Sequence, residues 1–73
     1  MQYLVVVEEG ETGFGAYVPD LPGCIAAAET KEAVLELIRE AIDFHIEGLK
    51  EQRQEIPEPS STAEIVEVGA QRR

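Results

Sequence analysis

Few side chains in this sequence could carry out covalent or metal chemistry. There is one cysteine, Cys24, and one histidine, His45. A thiol and an imidazole can act together as nucleophile and base, but only within hydrogen-bond reach of each other. His45 falls in the middle of a helical apolar stripe and reads as a core or interface residue. Cys24 stands at the start of a strand just after a turn and reads as a small buried hydrophobe. Asp20 with Glu8 or Glu9 could hold a divalent ion and support a residual nuclease. Yet 15 of the 73 residues are acidic, so a chance pairing carries little weight. A turn aspartate usually bonds to nearby backbone. No phosphate-binding glycine loop, triad or metal box is present. Gly13 and Gly15 lie within strand sequence and make no dinucleotide fingerprint. The sequence therefore offers no catalytic residue, cofactor site or metal site, and it reads as a non-enzyme.

Binding chemistry is better supplied. Fifteen acidic against six basic residues give a formal charge of −9. That field repels phosphate backbones and attracts basic proteins. The terminal Gln71-Arg72-Arg73 is too small a basic patch to reverse it. Glu36, Glu40, Asp43 and Glu47 repeat at steps of three and four, so a helix places them on one face, with Glu51 one turn further. Like charges at that spacing cost a few tenths of a kcal/mol per pair. A solvated surface is the ordinary meaning of such a face; docking a basic partner is the other. Asp20, Glu36, Glu40, Asp43 and Glu47 are the candidate partner-binding residues.

These residues need elements to position them. Residues 2 to 8, "QYLVVVE", are β-branched and apolar on both faces, which predicts a central strand. Gly10 and Gly13 supply a turn, and residues 14 to 18, "FGAYV", return as the second strand of a hairpin. "PDLPGC" follows: Pro19, Asp20, Leu21, Pro22, Gly23 and Cys24. Pro19 ends the strand, and Pro22-Gly23 suits the second and third positions of a turn. Residues 24 to 28, "CIAAA", are a third strand. Thr30 is an N-cap, with Glu29 and Glu32 beside the positive end of the helix dipole.

The helix spans residues 31 to 52. Val34, Ile38, Ala41, Ile42, His45 and Leu49 share one side, Leu35 and Ile46 widen it on one flank, and Leu37 and Phe44 on the other. The apolar arc is roughly 200° wide, against the ~100° that one sheet contact needs. Residues 52 to 62 are a polar linker that Pro57 and Pro59 keep from being helical. Residues 63 to 68, "AEIVEV", predict a last strand, and residues 69 to 73 a frayed tail. The expected fold is α+β in the order β-β-β-α-β: a three-stranded antiparallel meander, a last strand parallel to the first and beside it, and one helix on one sheet face.

A single domain over residues 1–73 buries too little surface to be stable comfortably alone. One cysteine excludes an internal disulfide, so a partner subunit is the expected stabiliser. Together with an uncovered sheet face and an over-wide helix stripe, this predicts a homo-oligomer, a dimer or tetramer. The lone cysteine, the lack of a signal peptide and the absence of a long apolar run place the chain in the cytoplasm, away from membranes.

The "VPDLPGC" turn, followed by an alanine-rich strand and the helix start "TKEAV", resembles the HicB-like antitoxin family over residues 1 to about 50. The resemblance implies a partial ribonuclease-H-like fold. It also implies a partner, a small basic HicA toxin that cleaves messenger RNA and whose active site the antitoxin blocks. Family members commonly add a C-terminal DNA-binding segment, and none is expected here. The carboxylate set of an active ribonuclease H is likewise missing. The alternative is a stand-alone oligomeric ligand-binding or regulatory domain without a toxin.

Overall fold

The computed structural model describes residues 1–69 and has the order β1 (Val6–Glu9), β2 (Phe14–Tyr17), β3 (Ile25–Ala28) and α1 (Lys31–Glu51). The fold is α+β. The three strands form an antiparallel meander in the order β1-β2-β3, so β2 is central. The register sets Val7 opposite Ala16 and Ala16 opposite Ala26, which places these three on one face. The next rung, Val6–Tyr17–Ile25, points the other way.

The first face carries the helix. Ala16, Val18, Leu21, Cys24, Val34 and Ile38 form the buried core, with Tyr3, Val5, Val7, Phe14, Ala26, Ala28, Ala41 and Ile42 packed around it. Small side chains at Ala16, Ala26 and Ala28 let α1 lie close over β2 and β3. Val34 and Ile38, four apart, are the two helix residues that go fully inside. Each such burial contributes about 1.5–3 kcal/mol. Among the described residues nothing covers the opposite face: Tyr17 is 41% and Ile25 69% exposed.

Both ends of α1 are closed. The Thr30 hydroxyl accepts from the Ala33 amide at 3.1 Å, as an N-cap should. At the other end the Gln54 amide donates to the Leu49 carbonyl and the Arg53 amide to the Lys50 carbonyl. That is the Schellman pattern, with Arg53 at φ 56° in the position that favours glycine.

The expected strands at 14–18 and 24–28 and the helix at 31–52 are present to within a residue at each end. Two expectations are corrected. The first strand starts at Val6 rather than at residue 2, and it lies at a sheet edge, not in the centre. Residues 63–68 form no strand beside it, and no strand follows α1 among the described residues. The reason lies in residues 57–61. Tyr3 Oη donates to the Pro57 carbonyl at 2.6 Å, and Asp20 holds Ser60 and Ser61. Tyr3 precedes β1 and Asp20 follows β2, and antiparallel pairing puts both at the same end of the sheet. The chain is thus strapped across that end, and residues 62–68 continue past it instead of turning back along β1. Of the expected tail, residues 70–73 lie outside the described residues.

Candidate partner-binding surface

The "PDLPGC" loop is two consecutive turns. The Leu21 amide donates to the Val18 carbonyl and the Cys24 amide to the Leu21 carbonyl, both at 3.0 Å. In the second turn Pro22 and Gly23 are the central residues, and Gly23 has φ 88°. This is a type II turn, which requires a positive φ at its third position. The loop serves the core, because Leu21 is fully buried between the turns and Cys24 is 3% exposed. Burial raises the Cys24 thiol above its ordinary pKa, which makes it a poor nucleophile.

Asp20 does not bond within its own turn. One carboxylate oxygen accepts from the Ser60 and Ser61 amides, each at 2.9 Å. The other accepts from the Ser61 hydroxyl at 2.8 Å and the Ser60 hydroxyl at 3.2 Å. Four donors to one anion stabilise its charged form. The Ser61 and then the Ser60 amide, followed by the Ser61 hydroxyl, hold the Asp20 pKa down to about 2 from 3.8. Because the folded value lies below the unfolded one, the latch is fully formed above the ordinary carboxylate range and is lost as pH falls toward 2. The Ser60 and Ser61 amide resonances should therefore titrate with a midpoint near 2 rather than near 3.8. A midpoint at the ordinary aspartate value would show the latch to be open in solution. The carboxylates proposed to share an ion are not brought together: Glu8 and Glu9 end β1 at the opposite end of the sheet from Asp20. No group of three or more metal-type ligands occurs among the described residues.

The helix carries the other candidates. Glu36, Glu40, Asp43 and Glu47 are all exposed. At 100° per residue they occupy about 60° of arc. One ion pair is formed among the described residues, Lys50 to Glu47 at 4.0 Å. Both partners are well exposed, so it relieves the stripe little. Along the border between this stripe and the buried side stand Leu37, 43% exposed, and Phe44, 82% exposed. An exposed aromatic beside a row of carboxylates is the composition of a binding hot spot: an apolar anchor with a charged rim. Sequence reasoning read Leu37 and Phe44 only as the flank of a wide stripe and did not count them as site residues. It also missed Ser60 and Ser61, which carry no signal until the chain folds back. Asp20 lies in the latch and not on the helix stripe. His45 is partly buried on the apolar side of the helix.

No helix among the described residues is long and apolar enough to cross a membrane. A family model described as the HicB_like antitoxin of a bacterial toxin-antitoxin system matches residues 3–70. The chain is 37% identical over 71 residues to "Antitoxin HicB 2" of Photorhabdus laumondii, covering 96% of this chain and 51% of that protein. It is 35% identical over 66 residues to an uncharacterized 14.9 kDa protein of Haemophilus phage HP1, covering 90% of this chain and 50% of the phage protein. It is also 41% identical over 58 residues to a UPF0150 protein of Thermoplasma acidophilum, covering 78% of this chain and 84% of that one. The chain thus spans about half the length of the phage and Photorhabdus relatives.

Proposed function

The chain belongs to the HicB-like antitoxin family of bacterial toxin-antitoxin systems, and from that premise we propose that it binds and neutralises a small basic HicA-type toxin that cleaves messenger RNA. Family membership itself implies a toxin partner. The observation that carries the rest is the exposed stripe of Glu36, Glu40, Asp43 and Glu47 with Phe44 and Leu37 at its border. A ribonuclease must present cations to hold an RNA backbone. An acidic stripe meets those cations and competes with RNA for them, while Phe44 supplies apolar contact that salt does not screen.

In this reading the protein is not an enzyme. It works by occupying the toxin, and it does so as a homo-oligomer. The meander and its single helix are the remnant of a ribonuclease-H-like layer. What supports this is the β-β-β-α order with the helix over one face of an antiparallel meander.

The direct test is messenger-RNA cleavage by a small basic toxin of this type, purified with and without the chain. Cleavage should fall in proportion to added chain and stop near equimolar subunits. Undiminished cleavage at a tenfold excess would overturn the reading, and a ligand-dependent melting shift without any toxin would favour a stand-alone binding domain.

A further inference from the structure

We infer that the basic partner docks by adding a strand to the open edge of β3, beneath the overhanging Leu37 and Phe44. This rests on the toxin reading above and names how the partner is held; its test separates the two.

Among the described residues β3 pairs with β2 alone and ends the sheet on its side. The Val18 amide donates to the Cys24 carbonyl, one rung beyond the Tyr17–Ile25 pair. Bonded and non-bonded rungs alternate along an antiparallel pair. Ala26 and Ala28 therefore turn their N–H and C=O toward β2, while those of Ile25 and Ala27 point out of the sheet. Both residues are exposed, Ile25 by 69%. An open edge is a template for another strand, and a charge or a proline on it is the usual guard. β3 has neither: Leu21 to Ala28 hold no charged residue, and Pro22 precedes the strand.

The handedness of the chain puts one apolar flank of α1 over this edge. Seen from the helix side with β2 running upward, L-residues facing the viewer turn their N–H and C=O to the right. Ala16 and Val18 face the helix and turn theirs toward β3, so β3 lies to the right of β2. α1 follows the lower end of β3 and runs upward over β3 and β2. With Val34 and Ile38 facing down into the core, a right-handed helix at 3.6 residues per turn carries Leu37 and Phe44 to the right, past β3. It carries Leu35 and Ile46 to the left, toward β1. Phe44 is 82% and Leu37 43% exposed, as an overhang should be, and Ile46 is half-buried. A strand added about 4.8 Å beyond β3 lies under both overhanging side chains. Glu40, Glu47 and Glu51 stand just above them on the same flank. A second copy would bring its own carboxylates against these three, whereas a basic strand neutralises them. Backbone hydrogen bonds to Ile25 and Ala27 then supply the hold and set the register.

The test is amide hydrogen exchange on the full chain, alone and with a saturating amount of a purified small basic toxin of this type. The Ile25 and Ala27 amides should exchange at least tenfold more slowly in the complex. Ala27→Pro removes an outward N–H at an edge position, where proline is tolerated, so its circular dichroism should match that of the parent. Its capture of the toxin should weaken at least tenfold, at high salt as at low. Undiminished capture by the folded Ala27→Pro chain would overturn the inference and leave the toxin reading standing. Unchanged exchange at Ile25 and Ala27 in a formed complex would do the same, and it decides alone if the variant loses its fold. No complex with the parent chain would overturn both. Slow exchange at these amides in the chain alone, with a light-scattering mass of two chains at micromolar concentration, would make a second copy the occupant and overturn the inference as well.

Discussion

Leu21→Ala should lower the free energy of unfolding by about 3 kcal/mol, within the range of roughly 2–5 for a buried leucine cut to alanine. Leu21 is 0% exposed, although it sits in a loop between two prolines. The two turns around it are fixed by their own hydrogen bonds, so the loop cannot easily collapse into the space vacated. A domain of this size has roughly 4–11 kcal/mol in total, so the variant would lose a large share of its stability. Urea unfolding followed by circular dichroism measures the effect. Leu21→Met, which nearly conserves volume, should cost less than about 1.5 kcal/mol. A change under ~1 kcal/mol for the alanine variant would mean that the loop is no part of the core. The family-type turn is thus first a packing device, and its proline and glycine exist to deliver a leucine.

The second large effect concerns binding. Reversing the helix stripe, with Glu36, Glu40, Asp43 and Glu47 all changed to lysine, should weaken capture of a basic toxin by about 100-fold, an effect that falls as salt rises. Stability should change little, because these side chains are exposed and like charges at three- and four-residue spacing already repel in the parent. Phe44→Ala should weaken capture in a manner that salt does not alter, since an apolar contact is unscreened. Equal affinity of parent and reversed stripe, at low salt and with the fold intact, would move the toxin site elsewhere on the molecule.

The helix and strands β2 and β3 were legible because each rests on local rules. Thr30 caps, Val34 and Ile38 repeat at the helical step, and Pro22-Gly23 makes a turn that only needs its own residues. The extent and place of β1 were misread for a different reason. An apolar run on both faces predicts a central strand, but here Tyr3, Val5 and Val7 pack around the helix-covered core while β1 pairs with β2 alone among the described residues. The path after α1 was misread because Asp20 and Tyr3 fix it from 40 and 54 residues away. No periodicity records such a contact. The site was half visible: the carboxylate stripe is a spacing pattern, whereas the role of Leu37 and Phe44 depends on how much of the apolar arc the sheet can cover. Asp20 was visible as a turn residue, but its four donors lie in a linker whose serines look like ordinary spacer.

The strap that joins Pro57 and Ser60–Ser61 to the sheet end also bears on the order in which the molecule assembles. Neighbouring strands and the helix meet across short stretches of sequence, while the strap must bring together groups separated by as many as 54 positions. Made first, those contacts would close a loop of 40 to 54 residues for a few hydrogen bonds; made after the meander and helix, they close only the short stretch from residue 52 to Ser60. The cheaper order is therefore body first and strap second.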